Sequence, residues 1–133
     1  MRKAKILSVV AVLALAGCRV GTGGAALPVA QQPDGAQVLL RVPSGAYGGE
    51  LLAVKDDGVI FSSRTIMFAP FSAIVSLSFD KMGNQFRLGA GEVPRGEKLA
   101  RFRAVSRFPQ GLTPSIRSWL LAQKSQTEIA VIQ

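Results

Sequence analysis

The chain contains no histidine and a single cysteine, Cys18, among 133 residues. Without histidine there is no Ser-His or Cys-His nucleophilic pair, no imidazole general base and no usual zinc or copper ligand set. Ser62, Ser63 and Ser72 have no base beside them in the sequence. Asp56-Asp57 is an adjacent carboxylate pair, which in isolation would suit a weak cation site. The glycine that follows, Gly58, makes hairpin-turn chemistry the better reading. These residues point to a protein that is not an enzyme and needs neither cofactor nor metal.

Positive charge is the other chemical resource. The chain has 16 basic and 8 acidic residues, a net +8. Between positions 95 and 124, Arg95, Lys98, Arg101, Arg103, Arg107, Arg117 and Lys124 face Glu97 as the sole acid. Such a segment is either a solvated face or a surface for phosphates and carboxylates. In the second reading Arg95, Arg101, Arg103 and Arg107 are the candidate anion-binding residues. Trp119 is expected in the core beside Ile116 and Leu120, with a ligand groove as its alternative setting.

The N-terminus has the parts of an export signal. Arg2, Lys3 and Lys5 precede an apolar run over 6–15, broken by Ser8, and small residues Ala16 and Gly17 follow. The run is half the ~20 residues of a spanning helix. The signal closes on Leu15-Ala16-Gly17-Cys18, which resembles the lipobox of bacterial lipoproteins. That resemblance implies cleavage between Gly17 and Cys18, a diacylglyceryl thioether on the Cys18 sulfur and, in many bacteria, acylation of the new amine. Two buried chains hold a membrane durably where one does so only marginally. Arg19, not Asp, follows the cysteine. In lipoproteins of enteric type this implies the outer membrane, facing the periplasm. Export removes nucleic acid from the partners to expect. What remains is the membrane itself, another envelope protein, or an anionic envelope polymer or headgroup such as lipopolysaccharide, peptidoglycan or phospholipid.

These residues must be carried by a modest domain. Residues 19–36 are rich in Gly and Pro and read as a tether with a reach of ~23 Å. The chain from 37 to 133 is expected to be one mainly-β domain of four to five short strands, a small barrel or meander, with one or two helices at its C-terminal end. Gln37–Val42 is rich in Val and Leu. A second run begins at Gly49, and Asp57-Gly58 between apolar runs marks a hairpin with a return strand from Val59. Alternation of Ala73, Val75, Leu77 and Phe79 with Ile74, Ser76, Ser78 and Asp80 predicts a strand over 72–80, with 85–88 pairing back. Residues 38–79 resemble Sm-like and SH3-like small barrels, carried by Gly49-Glu50-Leu51-Leu52-Ala53-Val54, the Asp57-Gly58 turn and the run ending at Phe79. That likeness implies a closed barrel. Leu99, Phe102 and Val105 favour a helix over 97–108, although Ala100, Phe102 and Ala104 also suit a strand. Thr113-Pro114 is a helix start, with Thr as cap and Pro at the first helical position. Residues 128–132 suit a short closing strand or a loose end.

Overall fold

A computed structural model describes residues 34–133. The signal-like segment, Gly17, Cys18 and most of the expected tether lie outside the described residues. Strand β1 (Gln37–Val42) alternates between exposed and buried positions, with Val38, Leu40 and Val42 inward. A two-residue turn at Pro43-Ser44 leads into β2 (Gly45–Val54), which pairs antiparallel with β1 from Val42↔Gly45 onward. The second strand therefore starts four residues before the apolar run. Its Gly- and Ala-rich beginning carries no hydrophobic signal, yet its backbone completes the ladder.

The end of β2 is buried at every residue from Leu51 to Val54. Two features produce this. Both faces of the sheet are covered here, and a bulge separates the pairs Leu51↔Phe61 and Ala53↔Ile60, leaving Leu52 as the extra residue. The bulge turns Leu52 and Ala53 to one core, while Leu51 and Val54 belong to the other. Its carbonyls are satisfied from outside the sheet: Arg107 N–H donates to Leu51 O at 3.0 Å and Phe108 N–H to Leu52 O at 2.8 Å.

Strand β3 (Gly58–Ser62) returns after Asp57, and β4 (Ile66–Pro70) pairs antiparallel with it. A 3-10 turn, Phe71–Ala73, redirects the chain to β5 (Ser76–Phe79), which pairs with the free side of β1. The expected alternation over 72–80 holds only within β5. Before it, Ile74 is buried and Val75 is 46% exposed, because the turn directs Ile74 N–H to Phe71 O and resets the phase. The pairing foreseen for 85–88 shrinks to a single bridge between Leu77 and Leu88.

Helix α1 (Gly96–Ala104) and helix α2 (Pro114–Gln123) follow, then β6 (Ala130–Val131), which lies parallel to β4. The sheet order is β5-β1-β2-β3-β4-β6. β5 and β6 form the two edges and do not pair, so the sheet is open: the meander is present and the closed barrel is not. The domain is mainly β, with six strands and two helices. One core gathers Leu40, Phe61, Leu77 and Phe79 around Phe102 of α1, whose ring meets Phe79 edge-on at 5.4 Å and stacks on Phe86 at 6.2 Å. The other places Leu120 and Leu121 of α2 against Leu52, Ala53, Ile60 and Ile66. The two helices thus cover opposite faces, since neighbouring strand residues point to opposite sides.

Candidate ligand groove and the basic segment

Of the four candidate arginines, Arg101, Arg103 and Arg107 stand beside carboxylates of the protein and Arg95 does not. Arg103 donates to Val54 O at 3.1 Å and to the Asp56 carboxylate at 2.7 Å. This pins α1 to the β2–β3 turn, and gives Asp56 a partner within the protein. Arg107 lies 3.6 Å from Glu50, whose other oxygen accepts from Gly35 N–H at 2.6 Å. Arg101 pairs with Glu97 one helical turn away at 3.5 Å. Lys98 pairs with Glu92, and Lys124 Nζ donates to Ser63 O at 3.1 Å. Arg95 flanks the start of α1, exposed and outside any ion pair among the described residues. Asp56 and Glu50, the partners of Arg103 and Arg107, were hidden in the sequence because they stand some fifty positions earlier.

Trp119 is not a core residue: 49% of it is exposed. A helix on a sheet buries a limited stripe, and Leu120 and Leu121 occupy it, with Ile116 at the margin. Trp119 lies off that stripe, with the Arg107 guanidinium 5.6 Å from its ring centre. Arg107 also lies 5.2 Å from the Phe108 ring, so one guanidinium joins Glu50, Phe108 and Trp119.

A groove of about 370 Å³ lies on the α2 side of the sheet. Its apolar wall is Ala53, Ile60, Phe68, Leu112, Ile129 and Val131. The strands supply Ala53, Ile60, Phe68 and Val131; the segments flanking α2 supply Leu112 and Ile129. Gly111, Lys55 and Arg117 complete the lining, and no Asp or Glu is part of it. Lys55 continues β2 beyond its last strand residue, with Nζ held 5.1 Å over the Phe68 ring. Arg117, three and four residues before Leu120 and Leu121, is exposed and opens onto the groove from the N-terminal half of α2. Thr113 orients that turn: its hydroxyl accepts from Ile116 N–H at 3.2 Å, as the Thr-Pro start predicts. Neither Lys55 nor Arg117 joins an ion pair among the described residues. The sequence reading missed this site. The available signal was Arg117 in register with two leucines on a helix that must pack.

Among the described residues no side-chain hydrogen bond joins the hydroxyl of Ser62, Ser63 or Ser72 to a basic group, and Lys124 meets Ser63 at its main-chain carbonyl. A Ser-x-x-Lys spacing, Ser78 to Lys81, spans the end of β5. Lys81 lies beyond β5 in a turn with φ 61°, and no hydrogen bond joins these two among the described residues. Among the described residues no group of three His, Cys, Asp or Glu side chains is placed to hold a metal ion, and no helix is long and apolar enough to cross a membrane. No family model, curated protein or solved structure matches the chain.

Proposed function

We propose that the protein is an exported bacterial lipoprotein, anchored through Cys18, whose domain serves a non-catalytic binding or adaptor role in the cell envelope. In a host with two membranes its place is the outer membrane, facing the periplasm. The observation that carries this reading is Leu15-Ala16-Gly17-Cys18 at the end of a basic and then apolar N-terminal segment. The groove, with an apolar wall and two cations outside ion pairs, supports binding as the domain's role and an anionic envelope ligand as its object. Arg103 and Arg107, engaged with Asp56 and Glu50, act as struts in this reading, and Lys55 and Arg117 take the ligand-facing role.

Metabolic labelling tests the anchor. Cells expressing the full chain are grown with a clickable fatty acid, and the protein is recovered under denaturing conditions. Wild type carries label, whereas Cys18→Ser carries none and runs at the mass of the uncut precursor. Equal label on both proteins refutes the anchor.

A further inference from the structure

We propose that the groove beside α2 binds a fatty acid, its carboxylate held by Lys55 and Arg117 and its single chain lying along Ile60, Phe68, Leu112 and Ile129. This deepens the binding role above by naming the ligand class of the domain. Three observations carry it.

The first is Arg117. It is exposed, stands one turn before the buried Leu120 and Leu121 on α2, opens onto the groove, and has no carboxylate partner among the described residues. The second is Lys55. The Phe68 ring beneath its ammonium steadies the charge without neutralising it. Two cations line one concavity that has no acid in its lining, which favours an anionic head group. The third is the apolar wall. At about 370 Å³ the groove is near the lower end of the ~300–1,000 Å³ of small-molecule sites, which favours one chain over two. A hydrophilic anion would leave the half-buried Phe68, Leu112 and Ile129 facing water; a neutral hydrocarbon would leave both cations without a partner. A fatty acid matches both.

The test uses the purified full-length chain in digitonin micelles, which contain no linear alkyl chain, and a dodecanoate bearing a diazirine as photoprobe. Crosslinks are expected in the peptides that hold Phe68, Leu112 or Ile129. Unlabelled dodecanoate competes, while dodecanol, which keeps the chain and lacks the charge, competes about tenfold less well, in line with the strength of charge-assisted hydrogen bonds. The double variant Lys55→Gln/Arg117→Gln loses labelling by at least about tenfold. Trp119 emission, which reports the Arg107 side of α2, checks that this variant is folded; the competition series on wild type stands without any variant. Crosslinks confined to residues outside the groove, or equal competition by dodecanol, would overturn the proposal. The labelling is repeated on Cys18→Ser, which lacks any acyl chains of the anchor, so loss of the groove reading and loss of the anchor reading are separate results.

Discussion

Glu92 is held on two sides: its carboxylate accepts from Gly89 N–H at 3.0 Å and pairs with Lys98 of α1. The Gly89 N–H, and after it the Lys98 ammonium, hold this carboxyl below the ordinary glutamate range. A lowered native pKa means that the carboxylate form is favoured by folding. Its contribution is in place above the unfolded value of ~4.3 and fades as the pH falls through the lower native one. Glu92 is 41% exposed, so solvent screens the pair and the effect on stability is small. A carboxylate titration followed by NMR gives a midpoint below that of a free glutamate. Lys98→Gln moves it only part of the way back, since the Gly89 N–H remains. A midpoint in Lys98→Gln equal to that of a free glutamate would show that the backbone donor is not the larger cause. Arg103 and Arg107 make the same point about side chains: what an arginine does is set by the carboxylate that the fold brings to it.

At the level of elements, β6 is the least self-sufficient. Two residues pair in parallel with β4, and parallel pairs need an external connection to hold register. Gln126 provides part of it. Its side-chain oxygen accepts from Ile66 N–H at 2.7 Å, and its amide nitrogen donates to Ile66 O at 3.2 Å and Glu128 O at 3.3 Å. The carboxamide thus takes the place of a strand residue opposite the first position of β4. Ile66 is buried at 1% exposure, so a Gln126→Leu change leaves its backbone groups without partners and costs about 1–3 kcal/mol. Hydrogen exchange should speed up first at Ile66 and Ile132, whose N–H donates to Phe68 O, while β1 stays protected. Uniform loss of protection across the sheet would instead mean that β6 opens only with the whole domain.

For the whole molecule, the N-terminal boundary of the domain lies before the first strand. Ala36 N–H donates to Val105 O at 2.8 Å, and Ala36 O accepts from Leu51 N–H at 2.9 Å. Gly35 passes so close to Leu51 O and Arg107 N that a Cβ there would collide with backbone. This short stretch ties the sheet to the segment after α1. A chain beginning at Asp34 should therefore melt higher than one beginning at Gln37, by on the order of 10 °C for two lost backbone hydrogen bonds in a domain of this size. Equal thermal midpoints in circular dichroism would show that residues 34–36 merely lean on the domain.

Much of this architecture is written locally. β1 is plain in alternating Val and Leu, the β2–β3 hairpin in Asp57-Gly58, α1 in the spacing of Leu99, Phe102 and Val105, and α2 in Thr113-Pro114. Each depends on neighbours within a few positions, and turn chemistry and periodicity encode such neighbours directly. The expectation of lipidation likewise rests on adjacent residues alone. Tertiary structure decided the rest. Whether the sheet closes depends on whether β5 and β6 meet, and these strands are far apart in the chain. The burial of all of Leu51–Val54 depends on a bulge and on helices arriving over both faces. Trp119 is half exposed because Leu120 and Leu121 claim the stripe that the sheet has room to cover. Arg103 and Arg107 meet Asp56 and Glu50, which stand some fifty positions earlier, whereas Arg117 and Lys55, distant in the chain, come to line one groove. Local patterning states which side chains share a face of their own element; only packing between elements determines what that face meets.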